Sequence, residues 1–141
     1  GALFSWLFEA DQDKANKPLI VWLNGGPGCS SMDGLFLENG PLRVDAKGNL
    51  RMNPHSWHKA GNLLYIDQPV GTGLSYTTSR NGYPRNDGEV NAHLHTFLVN
   101  FLRLHRQFLS SDGSSTRPII MTGESHAGHY IPSFVAYALD P

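Results

Sequence analysis

The sequence is poor in cysteine, in net charge and in long apolar runs. Its one cysteine, Cys29, cannot close a disulfide within the chain, so it is either a free thiol or half of a bond whose partner is absent. The formal net charge is −1 with neutral histidines, and 16% of residues are charged. That balance gives no sign of a nucleic-acid or anionic-membrane surface. No apolar stretch approaches the ~20 residues of a membrane-spanning helix. The start, GALFSWLFEADQDK, has neither a basic leader nor an initiator methionine. It does not read as a signal peptide, and the true N-terminus is expected upstream. There is no Asn-x-Ser/Thr acceptor, no internal repeat and no low-complexity tract.

What remains is a globular composition. The chain has 141 residues, of which 40% are of apolar type, enough for one domain around one core. Four apolar segments read as strands: ALFSWLFEA, LIVWLN, NLLYIDQP and IIMTG. LIVWLN is a continuous apolar run between KP and GGPG, which suits a strand buried on both faces of a parallel sheet. A short helix is expected near Ser30 to Leu37, stopped by Gly40 and Pro41. Residues 89–109 carry apolar side chains at Val90, Leu94, Phe97, Leu98, Phe101, Leu102, Leu104 and Phe108, which is helical spacing. SSDGSSTRP reads as a polar linker, and HAGHYIPSFVAYAL as a final helix. This alternation predicts an α/β fold with a mostly parallel sheet and helices on both faces.

Two glycine-rich segments follow predicted strands. In TGESHAGHY, Ser125 sits between Gly123 and Ala127, the latter where a strict Gly-x-Ser-x-Gly pattern has its second glycine, with Gly128 one step later. In a strand-to-helix turn a serine is pushed out above the sheet edge, and small neighbours are required because strand end and helix start nearly touch. Such a serine also lies at a helix N-terminus, where N–H groups favour negative charge. It suits an acyl-transfer nucleophile, with the His126 N–H as an oxyanion donor. A serine beside glycines is equally an ordinary helix N-cap. In WLNGGPGCSS the glycines expose backbone N–H groups. Three readings stand: a phosphate cradle lacking its lysine, a plain turn, or a second oxyanion donor from Gly25 or Gly26, with the amide of Asn24 facing substrate.

The blocks LNGGPGCSSMDGLFLENGPLRV, NLLYIDQPVGTGLSY and GESHAGHYIP together resemble the serine carboxypeptidases of the α/β-hydrolase fold. SMDG and IDQPVGTG are most similar to Golgi members that trim basic residues from precursor peptides. The resemblance implies that Ser125 is the nucleophile and that Gly26 and His126 supply the backbone oxyanion donors. It implies that Asn24, Glu38 and Glu124 bind the substrate's terminal carboxylate, with Gly25 contributing backbone and Trp22 bracing Asn24. It makes Cys29 a half-cystine. His126 departs from the family's usual tyrosine, which changes the pocket for the penultimate residue. Elementary electrostatics supports the paired glutamates: a protonated carboxyl can donate to an incoming carboxylate, whereas an ionised one repels it. Asp33, five residues before Glu38, would favour lysine or arginine at the cleaved end if it lines that pocket, and is otherwise a solvated helix charge.

A serine hydroxyl needs a general base, and in this fold the acid and the histidine follow the nucleophile. After Ser125 only His126 and His129 remain, and His129 lies one helical turn on, unable to reach the hydroxyl from the usual side. Residues 1–141 are therefore expected to be the N-terminal part of an α/β-hydrolase catalytic domain, lacking its acid and base and inactive or nearly so alone. His93 and His95 point about 200° apart on a helix and cannot share a metal; no metal and no cofactor are expected. Peptide or protein C-termini are the expected substrate, with no nucleic-acid partner. The resemblance implies a secretory-route location: Golgi, vacuole or lysosome, or outside the cell. Two rival functions are an acyltransferase on the same machinery and a non-catalytic binding protein on the same fold.

Overall fold

The computed structural model describes residues 1–109 and 117–140. The expected polar linker at 110–118 falls mostly outside the described residues. In chain order the main elements are β1 (Ser5–Phe8), β2 (Leu19–Leu23), β3 (Leu42–Val44), β4 (Leu50–Met52), β5 (Asn62–Ile66), α1 (Asp87–Leu104), β6 (Ile119–Gly123) and α2 (Ala127–Leu139). The four strands expected from apolar runs build one sheet in the order β1-β5-β2-β6. β2 pairs in parallel with β5 and β6, while β1 lies antiparallel on β5 at one edge.

β2 reads LIVWL, and all five residues are buried, as a strand covered on both faces must be. Leu19, Val21 and Leu23 pack with Leu64 and Ile66 of β5 against Leu94, Leu98 and Phe101 of α1 and Ala127, Tyr130 and Phe134 of α2. Ile20 and Trp22 face the other way, onto Leu35, Leu63 and Tyr65. The two long helices thus share one face. The expected helix after the first glycine loop is a short turn whose wide final part is Gly34–Glu38, and it covers the opposite face through Leu35.

α1 starts where the Asn86 side chain accepts from the Glu89 N–H, and the Glu89 carboxylate accepts from the Arg85 N–H in return. The first bond satisfies a donor that the first turn cannot pair internally, and the second ties down the residue before the cap. The helix stops at Leu104, short of the expected Leu109, and a tight turn follows at Arg106–Phe108. The break turns Phe108 inward, where it is buried and stacks on Phe101 with ring centroids 6.2 Å apart.

The hairpin β3–β4 has no signal in the sequence pattern, because three-residue strands are too short to show an alternation. Its turn is held by Asp45, whose carboxyl is lowered to about 2 by the Asn49 N–H, then by Arg51 and further donors. At the far edge of the described sheet, β6 carries exposed Ile119 and Ile120. No helix among the described residues is long and apolar enough to cross a membrane.

Candidate active site

The parallel register of β2 and β6 sets Leu23 opposite Gly123. The residues after each strand therefore leave the sheet side by side, beyond the carboxyl ends where ligand sites of open α/β sheets lie. Asn24 emerges beside Glu124, and the Glu124 N–H still donates to the Leu23 carbonyl at 3.3 Å.

Ser125 is exposed and adopts φ +57°, the left-handed region that side chains rarely enter. The turn closes at once, with the Ala127 N–H on the Glu124 carbonyl and the Gly128 N–H on the Ser125 carbonyl, both at 3.0 Å. α2 begins at Ala127. A Cβ at Gly123 would collide with the Leu23 carbonyl oxygen and come within 2.6 Å of the Ala127 Cβ. A Cβ at Gly128 would meet nothing within 4 Å. The steric demand thus falls on 123 and 127, so the sequence's alanine satisfies it and the displaced glycine has no part in it.

The first glycine loop packs directly on this turn. A side chain at Gly25 would sit 2.5 Å from the His126 backbone nitrogen and 2.9 Å from the Glu124 carbonyl oxygen. The loop is closed by the Cys29 N–H on the Gly25 carbonyl at 3.1 Å, and Gly26 takes φ +107°. Among the described residues neither the Gly26 nor the His126 N–H donates to a protein acceptor. Two uncommitted backbone donors on adjoining segments, next to an exposed strained serine, can receive the charge that develops on a carbonyl oxygen under attack.

Asn24 organises the neighbouring carboxyl groups. Its Oδ1 accepts from the Trp22 indole N–H at 2.7 Å and from the Gly34 N–H at 3.1 Å. With that oxygen occupied, its Nδ2 donates to Glu38 Oε1 at 3.2 Å and to Glu124 Oε1 at 3.3 Å. Trp22 is itself fixed edge-on against Trp57, ring centroids 5.5 Å apart. Behind the pair, Tyr65 donates to Asn39 Oδ1 at 2.7 Å. Burial, and secondarily the Glu38 charge, push its pKa far upward, so it stays neutral. An apolar-looking position in a strand thereby becomes a fixed polar neighbour of Glu38.

Six expected site residues meet here: Trp22, Asn24, Gly25, Glu38, Glu124 and His126, with Ser125 and Gly26 on the same two segments. Cys29 is an exposed free thiol on the loop. Asp33 is exposed and its side chain makes no capping bond to the turn it precedes. His129 stands 5.2 Å from the His126 ring and pairs through Nε2 with Asp87 Oδ2 at 2.9 Å, on the α1 side. Among the described residues no base is hydrogen-bonded to the Ser125 hydroxyl. Ser31 has no sequence signal of its own, yet its hydroxyl donates to the Ile66 carbonyl at 2.6 Å and accepts from the Asn24 N–H at 3.1 Å.

A strained serine in a strand-to-helix turn, abutted by a glycine loop from the neighbouring parallel strand, defines an α/β-hydrolase. Comparison with known proteins narrows the class. The serine carboxypeptidase family profile matches residues 1–140, and the chain belongs to that family. A serine carboxypeptidase of Dictyostelium discoideum is 46% identical over 99% of this chain and 25% of its own length. A pheromone-processing carboxypeptidase of Phytophthora infestans is 47% identical over 94% of this chain and 22% of its own length. The crystal structure of a prohormone-processing carboxypeptidase from Saccharomyces cerevisiae superposes with a TM-score of 0.86 at 41% identity, covering 98% of this chain and 29% of that one. The chain thus spans about a quarter of the length of the curated relatives it matches.

The two small positions of the serine turn make opposite predictions. Gly123→Ala is expected to destabilise the protein by about 1–3 kcal/mol through forced overpacking. Gly128→Ala, in open space on a helix, is expected to stabilise it by about 0.5 kcal/mol. Urea denaturation midpoints of the two variants check both signs.

Proposed function

We propose that this chain forms part of a serine carboxypeptidase that removes C-terminal residues from peptides through an acyl-enzyme. The observation that carries the reading is the packing of the Gly25 backbone on His126 beside the strained Ser125. Ser125 attacks the scissile carbonyl, and the N–H groups of Gly26 and His126 stabilise the oxyanion. Asn24, Glu38 and Glu124 receive the substrate's terminal carboxylate, with Gly25 offering backbone and Trp22 holding the amide orientation. A bound C-terminus thereby places the last peptide bond, and no internal one, over the serine. Ser125 requires a general base, and among the described residues none is hydrogen-bonded to its hydroxyl.

Two relatives are pheromone-processing and prohormone-processing carboxypeptidases, which supports precursor peptides as substrates and, with them, a secretory-route location. Asp33, exposed on the turn that ends in Glu38, is the candidate for a preference for basic C-terminal residues.

Three outcomes are expected of the enzyme with its base in place. Ser125→Ala lowers kcat by at least about 10³-fold with secondary structure unchanged by circular dichroism. KM rises when a peptide's terminal carboxylate is blocked as an amide, because Asn24, Glu38 and Glu124 then lose the group they bind; steady-state kinetics reads this, and an unchanged KM contradicts their role. Paired peptides ending in arginine and leucine differ in kcat/KM, and Asp33→Asn narrows the difference; equal rates in the parent enzyme remove Asp33 from specificity. Preferential transfer of the acyl group to an added alcohol over water would instead indicate an acyltransferase.

A further inference from the structure

We propose that Asp67 is the positioning residue of the oxyanion loop, acting through Ser30 and Ser31. This rests on the reading of Ser125 as nucleophile only for its kinetic consequence. Asp67 follows β5, the strand next to β2 on the side away from the serine turn, and is wholly buried. No cation pairs with it among the described residues; its carboxylate is held by neutral donors alone. Oδ1 accepts from the Ser30 hydroxyl at 2.7 Å and the Ser31 N–H at 2.8 Å, and Oδ2 accepts from the Leu74 N–H at 2.9 Å. These use three of its roughly four acceptor sites. A buried carboxylate is costly to desolvate, so its burial is tolerated only because these donors are fixed in place around it.

Its own backbone is equally constrained. The Asp67 N–H donates to the Phe4 carbonyl at 3.0 Å, and its carbonyl accepts from the Ser75 hydroxyl at 2.5 Å. Gly73 permits the Leu74 arm, since a Cβ there would collide with Oδ2 and approach the Ser30 hydroxyl oxygen to 2.8 Å.

Ser30 and Ser31 are the first residues after the glycine loop. Ser31 passes the constraint to both functions of the site: its hydroxyl receives the Asn24 N–H at one end of the loop, while its backbone leads through Cys29 and the Cys29 N–H to Gly25 carbonyl bond at the other. The loop residues 25–28 otherwise stand exposed or nearly so, apart from Gly25 itself. Asp67 therefore fixes the segment that presents the Gly26 N–H, without touching substrate. Displacing such a donor by a fraction of an ångström costs the transition state much more than the ground state, because the oxyanion alone needs it.

The test compares Asp67→Asn and Ser30→Ala with the parent in the full-length enzyme by two readouts. Asp67→Asn turns an amide N–H toward the Leu74 N–H or the two serine donors, so one arm of the clamp fails with side-chain volume unchanged. Ser30→Ala removes one donor to Asp67 and the acceptor of the Met32 N–H at 3.2 Å, and leaves the Ser31 and Leu74 arms in place. The first readout is hydrogen exchange. Amides of residues 25–31 are expected to exchange faster in both variants, with β2 and α2 unchanged; unchanged exchange at 25–31 in both variants overturns the proposal. The second is kinetics. kcat is expected to fall about tenfold or more in Asp67→Asn and less in Ser30→Ala, with KM within about twofold. A rise in KM at constant kcat, or equal loss of stability throughout the chain by exchange, also overturns it, since either means Asp67 only supports the fold. Were the parent enzyme not to hydrolyse peptides at all, the carboxypeptidase reading would fail while hydrogen exchange still decides the clamp.

Discussion

The site depends on one strand pairing. Because β2 and β6 run parallel with Leu23 opposite Gly123, the two loops leaving them meet at their first residues. A slip of one residue would turn every side chain of β6 to the other face and carry Glu124 away from Asn24. The register is secured by fully buried apolar residues on both faces of β2, so the core that stabilises the fold also aligns the chemistry.

From that pairing the roles divide by face. Trp22 points to the face covered by the Gly34–Glu38 turn, and so its indole orients Asn24 and gathers Glu38 and Glu124 there. α1 and α2 cover the other face and carry the serine turn into helix. The glycine loop follows β2 directly, so the proposed mechanism can draw an oxyanion amide from the loop and a carboxylate-binding amide from Asn24 just before it. Backbone strain at Ser125 is held in place by the close approach of Gly123, Leu23 and Ala127 and costs about 1–3 kcal/mol that the packed core offsets.

Much of this was legible in the residues. LIVWLN and IIMTG mark buried parallel strands by their unbroken apolar character, and Leu94, Leu98 and Phe101 mark the inner stripe of α1 by helical spacing. Small residues around Ser125 mark the turn, although only coordinates show that position 127, and not 128, bears the steric demand. Other features left no local trace. The β3–β4 hairpin is too short for periodicity, and the placement of both long helices on one face is decided by where β6 enters the sheet. Ser31 and Asp67 earn their roles from neighbours 36 residues apart in sequence, which no spacing rule within one segment can find.

The central claim is spatial: the Ser125 hydroxyl and the N–H groups of Gly26 and His126 surround one reacting carbonyl. A crystal structure of the enzyme after reaction with a peptide phosphonate tests it most directly. The account predicts a covalent bond from Ser125 Oγ to phosphorus, with one phosphonyl oxygen within about 3 Å of both nitrogens. A phosphonyl oxygen pointing into solvent, or an adduct on a different residue, would contradict it.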